Sequence, residues 1–425
     1  MSLLSSLYIG TSGMTADGGA ISIVGDNIAN TNTIGYKRNR ADFADVLGGS
    51  LGGHRMGAGV RLGGADTRFD QGSIQETGGS LDMAIRGNGF FSVKGNHDGR
   101  DATFYSRDGR FHLDDQGFVS NPGGLRLQGY LIDPAGTQAT SVSDLQLAGT
   151  TSPPAATTSA KLSLNLDAGA TVGPAWDPTN PAGTSNYSTS MTVYDSLGAA
   201  HKVDVYARAQ GNGAWEWHAM ADGGDLAGGT KGTPTEIGTG TLTFNASGAL
   251  QAQTGATTAS FVGAQPGQAI TMNFGDDIAS GGTGMVGSTG FAGPSAVTST
   301  DIDGHASGQL VDVSVTSDGT VEGTFDNGEK RSLARVALTL FANDEGLDRA
   351  GDGLFQQTST SGQPLTDAAG TGGRGAISGG ALEASNVDLG NELVTMIAYQ
   401  RAYQGNAKTV TTADEMLQEV ANLKR

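Results

Sequence analysis

Residues 389–417 read LGNELVTMIAYQRAYQGNAKTVTTADEML, and apolar side chains recur in this stretch every seven residues. A sustained spacing of seven is typical of the apolar seam of a helix that packs lengthwise on another helix. Asn386 or Asp388 is placed to cap the start of such a helix, and no proline follows. The stretch therefore predicts one long C-terminal helix. Its seam residues are Leu389, Leu393, Met396, Tyr403, Val410 and Leu417.

The N-terminal end of the chain carries the same repeat. Leu7, Met14, Ile21 and Ile28 lie seven residues apart, although the glycines between positions 10 and 19 should weaken a helix there. Two seams of equal period at opposite ends predict terminal helices that each pack lengthwise on another helix, and their role in assembly is implied only by a family resemblance that other residues of the chain carry. The alternative is that both stripes pack into the core of their own chain, which is the usual role of an apolar stripe.

Between the two ends the pattern changes from a helical period to alternation. Apolar residues alternate over 81–85, 203–205, 215–217 and 311–315, as they do in half-buried strands. Glycine occupies 69 of 425 positions, about twice the usual share of roughly 7 %, which favours many tight turns. Dipeptides such as Asn327-Gly328 are typical of hairpin connections. The middle of the chain therefore predicts antiparallel β structure.

The domain organisation follows from two stretches of biased composition. A Thr/Ala/Pro-rich segment at 150–159 and a Gly/Ser/Thr-rich segment at 280–300 bracket a region with strands of its own. We therefore predict a nested, multi-domain chain, mainly β with α-helical termini. The predicted domains are a terminal helical assembly domain (1–30 and 385–425), a connecting region (31–70 and 365–384), an inner β domain (71–149 and 301–364) and an inserted outer β domain (150–300).

Composition argues against several classes of function. The net charge of −18 would repel nucleic-acid phosphates and anionic membranes, and the absence of cysteine removes thiolate nucleophiles and Cys-ligated metals. The six histidines never stand at metal-ligand spacing and are expected to be solvated or on strand surfaces. The run Gly282–Gly287 has dinucleotide-binding spacing, but no strand precedes it. We expect no catalytic residue, cofactor, metal, membrane insertion or cleavable signal peptide.

A longer motif near the N-terminus carries a family resemblance. Residues 27–38 read NIANTNTIGYKR, which resembles the amino-terminal signature of the bacterial flagellar rod and hook proteins. Further matches follow in family order at 85–91, 105–109, 340–347, 382–388 and 398–403, so the resemblance spans nearly the whole chain. The signature positions are Asn27, Asn30, Thr33, Gly35, Tyr36 and Lys37.

The predicted insert distinguishes between members of that family. Its segments YDSLG at 194–198, WEW at 215–217 and LTFN at 242–245 resemble the outer domain of the hook members. The short rod members resemble only the ends and the inner region. The resemblance therefore favours a hook subunit, with a distal rod subunit carrying an insertion as the alternative.

That resemblance implies a structural role without catalysis. Hook-type members form a homopolymer of many copies, a flexible curved hollow tube that acts as a universal joint between rod and filament. They are exported without a cleavable signal by the flagellar type III export apparatus and lie outside the cell in the basal body and hook. The implied partners are the distal rod, the hook cap and the hook-filament junction protein.

Two local patterns leave alternatives open. Phe43 and Leu47 resemble an export-gate motif of hook-type substrates, but the same spacing also suits one face of a short helix. Three basic residues, Lys37, Arg38 and Arg40, are expected to form inter-subunit or surface ion pairs rather than to bind an anion.

One alternative belongs to a different functional class. A secreted β-rich adhesin or glycan-binding protein could use Trp176, Trp215 and Trp217 as an exposed stacking platform. Such a platform requires that the indole rings face solvent.

Overall fold

The computed structural model describes residues 3–51, 54–147 and 149–423. The chain divides into two compact units. The terminal unit comprises Met1–Thr150, Leu310–Thr324 and Lys330–Arg425, and the inserted unit comprises Thr151–Gln309 and Phe325–Glu329.

The chain begins with a long helix, continues through strands and one short helix, and ends with a second long helix. The first part contains α1 (Leu3–Ala29), β1 (Asn39–Leu51), β2 (His54–Thr67), β3 (Ile74–Glu76), β4 (Met83–Arg86), β5 (Phe90–His97), β6 (Arg100–Ser106), β7 (His112–Leu113), β8 (Val119–Ser120), β9 (Arg126–Leu131) and β10 (Ser143–Asp144). Next come β11 (Thr151–Ser152), β12 (Ser159–Asn165), α2 (Pro181–Thr184), β13 (Tyr187–Tyr194), β14 (Ala200–Gly211), β15 (Ala214–Asp222), β16 (Pro234–Phe244), β17 (Leu250–Ala259), β18 (Gln268–Asn273) and β19 (Ala296–Ile302). The last part contains β20 (Gly308–Val315), β21 (Thr320–Phe325), β22 (Lys330–Leu340), β23 (Asp348–Gly351), β24 (Leu354–Gln356), β25 (Leu365–Ala368), β26 (Ala376–Gly379), β27 (Ala381–Glu383) and α3 (Leu389–Leu423).

The terminal unit pairs the two ends of the chain. Helices α1 and α3 run antiparallel, because Gly10 lies against Val410 whereas Asn27 meets Glu392. Strands β1 and β2 form an antiparallel hairpin that also packs on α1. Near the C-terminus β26 pairs with β4 and β27 with β3, so the chain returns to its own N-terminal half before α3 begins.

A larger sheet forms the core of the terminal unit. Its main strands lie in the order β20-β21-β22-β9-β5-β6-β24-β23. The aromatic residues Phe90, Tyr105, Phe341 and Phe355 pack together on this sheet, with Phe69 against them. The Tyr105 and Phe341 rings meet edge to face at 4.7 Å between centroids, an arrangement that aromatic pairs prefer.

The inserted unit has a separate sheet and a separate core. Its eight strands lie in the order β13-β14-β15-β16-β17-β18-β12-β19. The pairs are antiparallel except for β12 with β18. Large apolar residues from all parts of the sheet form one buried cluster, which includes Trp215, Trp217, Phe244, Phe261 and Phe274.

The predicted fold class, mainly β with helical termini, is confirmed. The expected turn at Asn327-Gly328 lies where a hairpin closes, between β21 and β22. Residues 195–198 likewise lie in the connection from β13 to β14. Gly328 has a φ of +84°, which glycine adopts readily. The inserted unit differs from the predicted range 150–300, because it extends to Gln309 and includes Phe325–Glu329. Because β19 pairs with β12 through Ile302, the inserted unit continues past position 300. The division of the terminal unit into helical, connecting and inner β regions stays a prediction.

The short helix considered for Phe43 and Leu47 is wrong. Both residues lie in β1, where Phe43 pairs with Leu62 and Leu47 with Gly57 across the hairpin. Their spacing fits a helix face, but residues 54–67 supply a complete partner strand. Main-chain hydrogen bonds to that strand decide the conformation, and a local pattern does not contain them.

Candidate functional site

The contact between α1 and α3 is built on small residues and polar pairs. A Cβ atom at Gly10 would lie 2.7 Å from Val410 Cγ2, and one at Gly13 would lie 2.4 Å from Asn406 Nδ2. Only glycine permits this approach. The Asn406 Nδ2 group donates a hydrogen bond of 2.9 Å to Asp17 Oδ2. Two of the glycines that weaken α1 as an isolated helix, Gly10 and Gly13, therefore form part of its contact with α3.

The buried side of α1 differs from its predicted seam. Ala16, Ala20 and Val24 are buried, whereas the seam residues Leu7, Met14, Ile21 and Ile28 are each only half-buried. Within the isolated chain these four residues keep part of their apolar surface exposed. Their predicted role in assembly stays a prediction.

Helix α3 exposes most of its apolar side chains. The exposed fractions are 45 % for Leu389, 45 % for Leu393, 68 % for Val394, 54 % for Ile397 and 42 % for Tyr403. We call these five residues the outer face. A run of large apolar side chains on one helix is unusual for a surface that stays in water.

The remaining seam residues of α3 are intermediate. Met396, Val410 and Leu417 are half-buried. Among the described side chains of α3, only Glu392 and Ala413 are buried. The helix is capped by Asp388, one of the two predicted caps, whose Oδ1 accepts hydrogen bonds from the N–H groups of Gly390 and Asn391. None of the described helices is both long and apolar enough to cross a membrane.

The signature residues connect α1 to the rest of the terminal unit. Asn27 is fully buried, and its amide pairs with the main chain of Asn39 in both directions, at 2.7 and 2.8 Å. The same Nδ2 group donates to Glu392 Oε2 at 3.2 Å. Asn27 thus joins the end of α1, the start of β1 and the first turn of α3.

The loop after α1 is shaped by the next signature positions. Thr33 Oγ1 donates to Asn30 Oδ1 at 3.0 Å. Gly35 has a φ of +68°, and a Cβ there would lie 2.5 Å from the main-chain nitrogen of Asp108, so another residue would be strained and crowded. Tyr36 is buried and its hydroxyl donates to Asp26 Oδ2 at 2.9 Å. Burial raises the pKa of this phenol above its ordinary value.

Lys37 lies at the centre of a buried ionic cluster. Its Nζ atom is 2.7 Å from Glu383 Oε1, and both side chains are 0 % exposed. Arg107 Nη1 contacts the other carboxylate oxygen of Glu383 at 3.2 Å. The main-chain nitrogen of Gly72 also donates to Glu383, at 2.8 Å. Burial lowers the pKa of Lys37, although the Glu383 carboxylate acts in the opposite direction.

This cluster corrects the expectation for Lys37, which forms neither a surface pair nor an inter-subunit pair. It pairs within its own chain because burial of an ammonium group requires a counter-charge. Its neighbours Arg38 and Arg40 do form surface ion pairs, with Asp70 at 3.8 Å and Asp66 at 3.6 Å.

Phe43 and Leu47 are both exposed on the β1–β2 hairpin. The Phe43 ring lies 5.8 Å from the ring of Tyr399 on α3. Their possible role as an export-gate motif stays a prediction.

The tryptophan platform of the adhesin alternative is wrong. Trp215 and Trp217 are 3 % and 1 % exposed in the core of the inserted unit. Trp176 is half-buried and stacks on His218, with ring centroids 3.9 Å apart. His218 and His201 are themselves buried, so the expectation of solvated histidines is wrong for both. Each pairs with carboxylates on neighbouring segments, which local spacing does not reveal.

Sequence reasoning missed several residues of this site. Glu383, Arg107, Glu392 and Asn406 make the polar contacts that hold both chain ends, but each partner is far away in sequence. Glu383 and Arg107 lie inside matched family motifs, which was the one available signal. Across the described residues, no group of three or more His, Asp or Glu side chains could hold a metal ion.

Comparisons with known proteins agree along the chain. Family models match at residues 7–37 (flagella basal body rod protein), 84–147 (flagellar hook protein FlgE/F/G D1 domain), 165–305 (flagellar basal body protein FlaE D2 domain) and 378–423 (flagellar basal body rod FlgEFG protein C-terminal). The first and last matches fall on α1 and α3, and the third falls within the inserted unit.

Two full-length relatives and one solved structure carry hook names. The Flagellar hook protein FlgE of Escherichia coli K12 is 35 % identical over 97 % of this chain and 98 % of its own length. The FlgE protein of Treponema pallidum is 32 % identical over 100 % of both chains. The structure of Helicobacter pylori FlgE2 covers 71 % of this chain and 98 % of its own, with 16 % identity and a TM-score of 0.45. This chain belongs to the flagellar hook protein FlgE family.

Proposed function

We propose that this chain is the structural subunit of a flagellar hook and that it polymerises through the outer face of α3 together with the half-buried seam of α1. The observation that carries this proposal is the exposure of the five apolar outer-face residues in an otherwise compact chain. A second copy of the chain could cover this surface. Each fully buried Leu or Ile would contribute about 1.5–3 kcal/mol.

Membership of the FlgE family supports a location in the flagellar hook. The shape of the polymer, its partners and its export route are proposed here as well. The polymer is a flexible, curved, hollow tube that acts as a universal joint between rod and filament. Its other partners are the distal rod, the hook cap, the hook-filament junction protein and the type III export apparatus, which exports the chain without a cleavable signal. The subunit carries out no reaction and needs no cofactor.

The substitution Leu393→Glu tests the assembly face. A carboxylate at this position would enter an apolar contact without a partner, at a cost of several kcal/mol per subunit. Export into the medium should equal that of the natural chain, whereas hooks should be absent from the cells. Immunoblots of the medium and electron microscopy of cell-detached hooks measure the two results.

The matched control is Thr409→Glu, which adds the same charge at an exposed polar position of the same helix, about 160° around the helix axis from Leu393. It should assemble normally. Normal hooks from Leu393→Glu would contradict the assembly face. Concentrated natural protein that forms no curved tubes would contradict the hook function itself.

A further inference from the structure

Helix α3 carries apolar side chains on both of its sides. The side that packs on α1 carries Val410 and the buried Ala413 beside the polar Glu392 and Asn406. The outward side carries Leu393, Val394 and Ile397. Apolar side chains normally face the neighbouring element and polar ones face water. Apolar burial alone therefore does not decide which side of α3 faces α1, so other contacts must decide it.

The polar contacts with α1 are those that hold the present orientation. Asn406 reaches Asp17 at 2.9 Å and Glu392 accepts from Asn27 at 3.2 Å. Asp17, Asn27 and Glu392 are buried. A buried polar group without a partner costs free energy comparable to a lost hydrogen bond or more, so rotation of α3 would be penalised at both contacts.

The glycine at position 13 makes the central contact possible. A Cβ there would lie 2.4 Å from Asn406 Nδ2 and 2.9 Å from Asn406 Oδ1, so a larger residue would displace the amide from Asp17. Ile397 stands nine residues before Asn406, which at about 100° per residue puts it on the opposite side of the helix. The orientation that pairs Asn406 with Asp17 therefore keeps Ile397 outward.

We propose that the Asp17–Asn406 contact, seated on Gly13 and supported by Asn27–Glu392, fixes the rotation of α3 about its own axis and thereby keeps its apolar face available for a second copy of the chain. The contact is a positioning device. Its use in assembly rests on the proposed function, but the orientation itself does not.

Because the chain has no cysteine, single introduced thiols report the orientation directly. Ile397→Cys places a thiol on the outward side, and Val410→Cys places one on the side that faces Gly10. The reaction rate of each full-length variant with a charged maleimide is measured. In the natural background the thiol at 397 should react at least about tenfold faster than the thiol at 410.

Asn406→Leu should abolish that difference, because it removes the hydrogen bond to Asp17 and leaves this buried carboxylate without that partner when α3 keeps its present orientation. The control Gln404→Leu makes a similar change at an exposed position and should leave the rate ratio within about twofold of the natural value. An unchanged ratio in Asn406→Leu would overturn the proposal. Equal rates in the natural background would overturn it as well.

A charge exchange tests the contact if Asn406→Leu fails to fold. Asn406→Asp places two carboxylates together and should lower the rate ratio about tenfold, and adding Asp17→Asn should restore it. Failure of the second change to restore the ratio would contradict the contact. These rates are measured on the isolated chain, so a chain that orients α3 as described but builds no tubes would contradict only the hook function.

Discussion

The inserted unit and helix α3 differ in the burial of their large apolar residues. Trp217, Phe261 and Phe274 are enclosed by the eight-stranded sheet, whereas Leu393 and Ile397 stand about half exposed. The inserted unit therefore encloses its large apolar side chains, whereas α3 leaves large apolar side chains exposed to water. The difference predicts that the inserted unit folds on its own, and the proposed function predicts that α3 gains further stability from other copies of the chain.

We expect the largest effect from matched truncations in these two regions, compared by their free energies of unfolding. Trp217→Ala would leave a cavity in the inserted unit and remove the hydrogen bond from Nε1 to the Thr254 carbonyl. It should lower the free energy of unfolding by about 3–5 kcal/mol. Leu393→Ala should change that free energy of the isolated chain by less than about 0.5 kcal/mol. Urea unfolding followed by circular dichroism measures both.

Equal losses from these two truncations would break the comparison, because they would mean that α3 is already packed within the isolated chain. A small loss from Trp217→Ala would also contradict the comparison, because it would mean that the core of the inserted unit contributes little to the free energy of unfolding.

The ionic cluster of the terminal unit should give the next effect. Lys37→Met leaves the buried Glu383 carboxylate with Arg107 as its one remaining cationic partner among the contacts described above. The expected loss is about 3 kcal/mol in the free energy of unfolding. The control Arg38→Met removes a half-exposed surface pair and should cost less than about 0.5 kcal/mol. Similar losses would show that the cluster is not desolvated.

The smallest effect concerns a turn in the inserted unit. Burial alone would raise the pKa of Asp195, but hydrogen bonds from His201 and from the N–H groups of Ala199 and Leu197 hold it below its ordinary value of 3.8. A depressed folded-state pKa stabilises the fold above the unfolded value, and that contribution is lost as the pH falls below 3.8 towards the folded pKa.

Asp195→Ala should therefore cost about 1–2 kcal/mol near pH 6, and the difference from the natural chain should shrink as the solution is acidified below about pH 4. Urea midpoints at several pH values measure this difference. The control Asp301→Ala, at an exposed position, should stay within about 0.5 kcal/mol near pH 6. A difference that grows on acidification would contradict the assigned hydrogen bonds.

Much of the local structure was predictable from local sequence. The seven-residue repeats predicted both terminal helices, and the observed bounds, Leu3–Ala29 and Leu389–Leu423, agree closely with the predicted segments 1–30 and 385–425. The turn residues Asn327-Gly328 marked a true hairpin, because their backbone preference is intrinsic.

What the sequence could not reveal depends on distant partners. Phe43 was compatible with a helix until β2 supplied the partner strand. Gly10 and Gly13 were read as helix-weakening because only the approach of α3 gives them a role. Glu383 stood in a matched motif, but its pairing with Lys37 across 346 positions has no local signal.

Because Lys37 and Glu383 are 346 positions apart, the two residues are synthesised at different times. A ribosome delivers the chain from its N-terminus, so Lys37 and Arg107 emerge long before the carboxylate that neutralises them. The whole inserted unit, which ends at Glu329, is made before Glu383 appears. Contacts between distant residues also form slowly, since the intervening chain must first be closed into a loop. The contacts that complete the terminal unit are thus the last to become available, and a chain truncated before position 383 lacks the carboxylate that pairs with both cations.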